Sequence, residues 1–171
     1  MILKATCGAL AVPLLLAVAQ VSAESPMARP GAQCERFVQV GPSLEPAALG
    51  TCSDLRHRDL RKSRLHGAKL EGSRLSQSRL DYADLTDASL VNATMVYSNF
   101  SHARLSGADL RNTDLHDSIF TLADLTRADL RGANLEQARL YGANLRGALF
   151  DDHTVLPFAV DLALQLGMVR R

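Results

Sequence analysis

Three cysteines and five histidines are the residues of this chain with the most versatile chemistry. Cysteine pairs spaced C-x-x-C carry out thiol exchange or hold metals, and histidines grouped with cysteines or carboxylates bind metals or relay protons. The cysteines are Cys7, Cys34 and Cys52, which are too far apart in sequence to form a C-x-x-C motif. No cysteine–histidine cluster is present either, so nothing in these residues predicts metal or redox chemistry.

The first twenty-three residues have the features of a secretory signal. Lys4 supplies a positive charge, residues 9–19 form a short apolar run, and Val21-Ser22-Ala23 offers the small residues that a signal peptidase reads. We expect cleavage after Ala23, export to the bacterial periplasm or beyond, and no stable membrane insertion after cleavage, because the apolar run is short for a bilayer span. A retained N-terminal anchor is the alternative.

Export would leave two cysteines in the mature chain, Cys34 and Cys52. An even number of cysteines in an oxidising compartment predicts a disulfide between them. In the chain-entropy model a loop of this length contributes about 3 kcal/mol to stability. Two free buried thiols are the alternative.

A five-residue repeat organises the rest of the chain. Leucine, or Met or Phe in its place, occupies every fifth position from Leu55 to Phe150, and a small residue lies two positions earlier at nineteen of the twenty sites. A period of five is neither helical nor a simple strand alternation. It predicts a solenoid in which the leucine and the small residue point inward. Glycine recurs two residues after the leucine, at a corner that favours positive φ, where Asn and Asp also serve.

The repeat units resemble the A(D/N)LxG consensus of pentapeptide repeat proteins. Three units carry the likeness most closely, namely 108–112 (ADLRN), 128–132 (ADLRG) and 143–147 (ANLRG). The resemblance implies an all-β fold, a right-handed quadrilateral parallel β-helix with four units per coil and about five coils. With ordinary strand spacing such a column would be roughly 24 Å tall.

Four segments follow from these patterns. Residues 1–23 are the signal peptide, 24–52 a flexible lead-in and N-terminal cap, 53–152 the pentapeptide repeat β-helix, and 153–171 a C-terminal cap helix and tail. In the last segment Phe158, Leu162 and Leu166 are spaced i, i+4, i+8, which predicts one apolar helical face over the open end of the solenoid. Pro157 would lie in the first turn of this helix and Gly167 just after its end.

The repeat also explains most residues that could otherwise suggest catalysis. The five histidines do not lie twenty residues apart, so coils of four units do not stack them, and aspartate is itself a repeat residue. We therefore expect no catalytic, cofactor-binding or metal-binding site. The charges nearly balance, at 19 basic and 18 acidic residues, which gives no electrostatic basis for binding nucleic acid.

One outer face of the predicted column departs from the polar pattern. If residues twenty apart are stacked, this face combines exposed apolar and aromatic residues with a basic border; the candidate protein-binding residues are Tyr82, His102, Ile119, Leu122 and Tyr141. The alternative is a set of scattered surface hydrophobes without a role.

We therefore expect a non-enzymatic, exported, rigid scaffold that binds an unidentified protein or associates with itself. A second hypothesis comes from the resemblance: some family members mimic DNA, bind gyrase and protect it from quinolones. Such mimics have a strongly acidic surface, whereas this chain is charge-balanced and carries an export signal that would keep it from gyrase. A third is a polysaccharide-acting β-helix enzyme, which would need a converging acid pair that the sequence does not supply.

Overall fold

A computed structural model describes residues 38–39 and 50–171 of the chain. Regular elements in this part are short: β1 is Val38–Gln39, β2 is Ser53–Asp54, β3 is Leu149–Phe150, α1 is Val160–Gln165 and β4 is Val169–Arg170. Strand β1 pairs with β2 and β3 pairs with β4, both in parallel. The predicted signal peptide and Cys34 lie outside the described residues.

Parallel bridges between single residues join one coil to the next. From Asp54↔Arg74 to Asp129↔Leu149, each bridge links residues twenty apart, which is the spacing that four five-residue units per coil require. The main chain is hydrogen-bonded on both sides of each bridge; the Arg74 N–H donates to the Ser53 carbonyl at 2.9 Å, and the Leu55 N–H donates to the Arg74 carbonyl at 2.7 Å. Backbone pairing between coils therefore runs along the column while each strand stays very short.

The interior is filled by the residues that the repeat predicts. The leucine positions from Leu55 to Phe150 are buried except for Leu140, which is half-buried near the C-terminal end of the column. Phe100 and Phe120 stack inside, with centroids 5.0 Å apart and an interplanar angle of 4°. This stacking follows from the twenty-residue spacing, which places the two rings in one interior ladder.

Serine can replace alanine at the small inward position because its hydroxyl finds a main-chain acceptor. The Ser98 Oγ donates to the Leu75 carbonyl at 2.6 Å, and the Ser118 Oγ donates to the Met95 carbonyl at 2.7 Å. Both serines are buried, so an unbonded hydroxyl there would be destabilising. The hydroxyls instead connect adjacent coils.

Each corner is a turn with positive φ at the second residue after the leucine. Asp87, Asn112 and Gly107 have φ values of 55°, 55° and 69°, which confirms the expectation for these residue types. Bulky residues adopt the same conformation, among them Tyr82 and Leu122 at 61° and 57°. The lattice therefore imposes this geometry on whatever residue occupies the corner.

The register changes after Phe150. Asn134 bridges to Val155, twenty-one residues on, so the five-residue period no longer applies to the segment that follows the last repeat. Asp151 and Thr154 stabilise this segment: the Gly132 N–H donates to the Asp151 Oδ1 at 2.9 Å, and the Thr154 Oγ1 donates to the Leu130 carbonyl at 3.1 Å. The spacing of twenty returns at β4, whose Val169 pairs with Leu149.

Helix α1 lies in the predicted tail, but it turns a different face to the column. Leu162 and Leu166 are 42% and 43% exposed, whereas Ala163 is fully buried. The expected face was therefore wrong, because a spacing of i, i+4 groups residues without saying which group faces the core. Phe158 precedes the helix and packs partly against the core, and Pro157 lies before the helix instead of in its first turn.

Gly167 lies just after the end of the helix, as expected, and has φ +81°. The Gly167 N–H donates to the Leu164 carbonyl and the Met168 N–H donates to the Ala163 carbonyl, at 3.0 and 3.1 Å. These two bonds form a Schellman motif. Met168 and Ala163 are both buried, so the motif brings a hydrophobic contact to the end of the column.

Candidate functional site

The candidate protein-binding residues gather around one corner of the column. We call this edge the aromatic corner; it consists of Lys62, Tyr82, His102, Leu122 and Gly142, which follow one another at intervals of twenty. Main-chain hydrogen bonds fix the stacking, since the Tyr82, His102 and Leu122 N–H groups donate to carbonyls of the next coil at 2.9 to 3.0 Å. The corner is therefore a straight row of side chains set by the backbone.

Aromatic and apolar side chains on this corner face outward. The rings of Tyr82 and His102 are stacked, with centroids 4.7 Å apart and an interplanar angle of 2°. Tyr82 is 55% exposed, Leu122 52% and Tyr141 82%, while Ile119 is half-buried between its bridge partners. The structure thus places all five predicted residues on one side of the molecule, and their role in binding remains a prediction.

A glycine lets Leu122 occupy its position. A Cβ built on Gly142 would lie 2.7 Å from the Leu122 Cδ2, so the leucine leans across the space that a side chain would fill. Gly142 also has φ +69°, which disfavours other residues. The pair leaves an apolar surface next to Tyr141.

Charged residues border the corner at its N-terminal end. The Arg61 guanidinium donates to the Asp59 carboxylate at 2.7 Å and lowers the pKa of Asp59 from 3.8 to about 2. Arg79 lies 3.7 Å from Asp81. Asp59, Arg61, Lys62, Asp81 and Tyr82 line an open cleft of about 570 Å³ beside these pairs. The border combines neutralised pairs with Lys62, which makes no ion pair among the described residues.

A second aromatic group lies on the adjoining corner. Tyr97 meets His116 edge to face with centroids 6.4 Å apart, and the His116 Nε2 lies 2.9 Å from the Asp117 Oδ2. A hydrogen bond to Asp117 raises the pKa of Tyr97. The candidate residues chosen from the sequence do not include this pair, although the twenty-residue interval between Tyr97 and Asp117 is a signal that places the two side chains together.

Within the part of the chain that the structure describes, no three His, Cys, Asp or Glu side chains come together as a metal site, and no helix has the length and apolar character to cross a bilayer. Cys52 is disulfide-bonded, and the other two cysteines lie outside the described residues. The pairing of Cys52 with Cys34 therefore stays a prediction.

Comparison with known proteins identifies the repeat. A family model described as a pentapeptide repeat region matches residues 63–140. A pentapeptide repeat protein from the cyanobacterium Nostoc is 31% identical, and the match covers 73% of this chain and 88% of that one, with a TM-score of 0.30. The chain belongs to the pentapeptide repeat family. Proteins of this family form right-handed quadrilateral β-helices, in agreement with the expected fold class.

Other pentapeptide repeat proteins are also similar to this one. A protein from the thylakoid lumen of Arabidopsis thaliana is 29% identical over 74% of this chain and 81% of its own, with a TM-score of 0.49. QnrB1, a plasmid-mediated fluoroquinolone resistance protein, is 14% identical over 66% of this chain and 71% of its own, with a TM-score of 0.32. No curated protein matches the sequence.

Proposed function

We propose that this pentapeptide repeat protein is a non-enzymatic, exported scaffold that binds another protein through the aromatic corner. Ile119 and Tyr141, which lie beside the corner, complete the contact surface. The observation that carries the proposal is the exposure of Tyr82, His102 and Leu122 in one continuous row on a corner of the column.

Backbone strain is shared by many corners of the column, so the exposed apolar side chains are what distinguish the aromatic corner. A left-handed backbone conformation costs a residue other than glycine about 1–2 kcal/mol, and less for asparagine or aspartate. Gly107, Asn112 and Asp87 are less strained types, but Gln77 and Arg127 carry the same positive φ with polar side chains. The side chains of Tyr82 and Leu122 are exposed and do not pack inside the column, so they add little to the stability of the core. An interaction outside the column would account for them.

The surroundings of the corner favour a partner with particular chemistry. An exposed apolar row with cations at its edge suits an apolar protein surface bordered by carboxylates. Lys62 and Arg139 supply cations that make no ion pair among the described residues. The nearly balanced charge of the whole chain supports a protein partner over nucleic acid, because phosphate backbones are bound by a surplus of Lys and Arg.

Rigidity is the second part of the proposal. Backbone bridges at every coil hold the corner residues at fixed spacing, and we infer about five coils with α1 as a short C-terminal cap. A binding surface on such a column loses little conformational entropy when a partner docks. The protein would act by presenting this surface without changing shape.

Export is the third part. The signal-like residues 1–23 and the even number of cysteines after cleavage support it. The disulfide-bonded state of Cys52 is also typical of an oxidising compartment. A fusion of the full chain to a reporter that is active only in the periplasm should give signal, and a silent reporter together with cytosolic protein would overturn export.

The binding surface is tested with the double variant Ile119→Asp, Leu122→Asp. Aspartate is already found at equivalent positions, at Asp109 before a leucine and at Asp117 on a corner, so the variant should fold. Affinity capture from envelope extracts should lose the partner with this variant. Retention of the same partners by a folded variant would contradict the proposed surface.

A further inference from the structure

We propose that a different face of the column binds a tetrahedral oxyanion, the group presented by inorganic phosphate or sulfate and by their monoesters. The site is an open cleft of about 460 Å³ lined by Ser106, Thr126, Arg127, Arg146 and Gly147. It lies one five-residue unit further along each coil than the aromatic corner, so it is separate from the docking surface proposed above.

Neither arginine of the cleft makes an ion pair among the described residues. Elsewhere the repeat neutralises an arginine with an aspartate two residues earlier, as in Asp129 and Arg131, whose side chains are 2.6 Å apart. Before Arg146 the chain has Asn144, whose Oδ1 accepts the Arg146 N–H at 3.2 Å but carries no charge. Neither Arg146 nor Arg127 has a carboxylate within 4.0 Å among the described residues.

The backbone brings these two arginines together. The Arg127 N–H donates to the Arg146 carbonyl at 3.0 Å, so the residues belong to directly adjacent coils. The Arg127 Cγ lies 3.4 Å from the point where Gly147 would carry a Cβ, which means that the arginine extends over the glycine towards the next coil. Both arginines therefore line one cleft, and their two positive charges make it favourable for an anion.

Two hydroxyls add neutral donors to the cleft. The Ser106 Oγ and the Thr126 Oγ1 are 2.8 Å apart, so one donates to the other and the second keeps a proton for a ligand. The carboxylate nearest in sequence is that of Asp124, whose Oδ1 accepts the Thr126 N–H at 3.1 Å. Guanidinium forks together with a hydroxyl match the several oxygens of a phosphate or sulfate group.

The first experiment titrates the full mature protein with sodium phosphate, sodium sulfate and methyl phosphate at constant ionic strength. The Nε–Hε NMR signals of Arg127 and Arg146 should shift saturably with a dissociation constant in the millimolar range, as expected for an exposed site. Binding of the inorganic ions alone would identify a free-ion site, and binding of methyl phosphate as well would identify an ester site. No saturable shift with any of the three anions would overturn the proposal.

Substitutions then locate the site. Arg146→Gln should weaken binding about tenfold, since it removes a charge-assisted hydrogen-bonding group. Arg131→Gln removes an arginine at the same point of the repeat, but one that is already paired, so it should leave binding unchanged. Equal losses of anion affinity in the two variants would mean that binding depends only on the overall charge of the protein, which would contradict a specific site.

The sharpest variant is Asn144→Asp, which restores the repeat's usual Asp-x-Arg pair. It should fold normally, because the same pair occurs at Asp129 and Arg131, and it should weaken anion binding about tenfold or more by neutralising Arg146. Asn99→Asp makes the same charge change on another face and should leave binding intact. Binding by Asn144→Asp as tight as that of the unsubstituted protein would contradict the proposal, and none of these outcomes depends on the docking surface.

Discussion

The ring of Tyr82 lies parallel to the ring of His102 on the outside of the column, with centroids 4.7 Å apart. Inside the column Phe100 and Phe120 repeat this arrangement at 5.0 Å. Both distances match the separation of neighbouring strands, so one lattice aligns both pairs. The inner pair fills the core. The outer pair is exposed and does not fill the core, so the presence of aromatic residues there requires a different explanation.

The inner pair gives a direct test of core packing. Phe100→Ala should lower the free energy of unfolding by about 3–5 kcal/mol, because it leaves a cavity between buried ladders. Phe100→Leu should lower it by only about 1–2 kcal/mol, since Leu80 and Leu60 show that leucine fits this ladder. Urea unfolding monitored by circular dichroism measures both changes. Equal losses for Ala and Leu would show that the ladder does not select for size.

The corner predicts a contrast between two nearby leucines. Leu122→Asn should change the free energy of unfolding by less than about 1 kcal/mol, because relief of backbone strain offsets the loss of a half-exposed side chain. Leu125→Ala should lower it by about 2–5 kcal/mol, because Leu125 is fully buried. A large loss for Leu122→Asn in the same unfolding experiment would mean that Leu122 serves the fold, which would remove the main support for the docking surface.

The Asp59–Arg61 pair predicts a pH effect. Hydrogen bonding to Arg61 lowers the pKa of Asp59 to about 2, so the carboxylate form is favoured in the folded protein. Because the folded pKa is below the ordinary value of 3.8, the contribution to stability is complete above that value and is lost as the pH falls through about 2. NMR titration of the Asp59 carboxyl carbon should show this pKa, and Arg61→Gln should raise it towards 3.8. An unchanged Asp59 pKa in that variant would contradict the assignment to Arg61.

Export predicts a defined mature protein. Mass spectrometry of protein recovered from the periplasm should give a chain that begins at Glu24, and thiol alkylation without reductant should leave it unmodified because Cys34 and Cys52 are paired. Cys34→Ser should lower the free energy of unfolding by about 3 kcal/mol, as expected for opening a loop of this size. Recovery of the chain with residues 1–23 still attached would contradict cleavage, and labelling of both thiols would contradict the disulfide.

Much of this molecule could be predicted from the period of five. The period places Leu55 and its successors in the core, and it places Tyr82, His102 and Leu122 on one edge, because both consequences depend only on the backbone lattice. It could not predict the face that α1 turns inward. Leu162 and Leu166 formed the more apolar group, but the buried position belongs to the smaller Ala163.

Other features required knowledge of side-chain partners. Asn134 bridges to Val155 at a spacing of twenty-one. The five-residue pattern ends at Phe150, so it could not predict this pairing. The absence of an ion pair at Arg146 among the described residues did have a sequence signal, namely Asn144 in the place where units such as 128–132 carry aspartate before an arginine. The sequence did not show that Arg127 and two hydroxyl groups line the same cleft as Arg146, which is what suggests an anion site.

Crosslinking in intact envelopes tests the central claim, that the aromatic corner docks a partner protein. A photoreactive phenylalanine replaces Tyr141, beside the corner, or Glu136, which is exposed on an adjoining face. The account predicts one discrete adduct with a different protein from position 141, loss of that adduct in the Ile119→Asp, Leu122→Asp background, and none from position 136. Adducts that form equally at both positions, that survive the double substitution, or that contain only a second copy of this chain would contradict it.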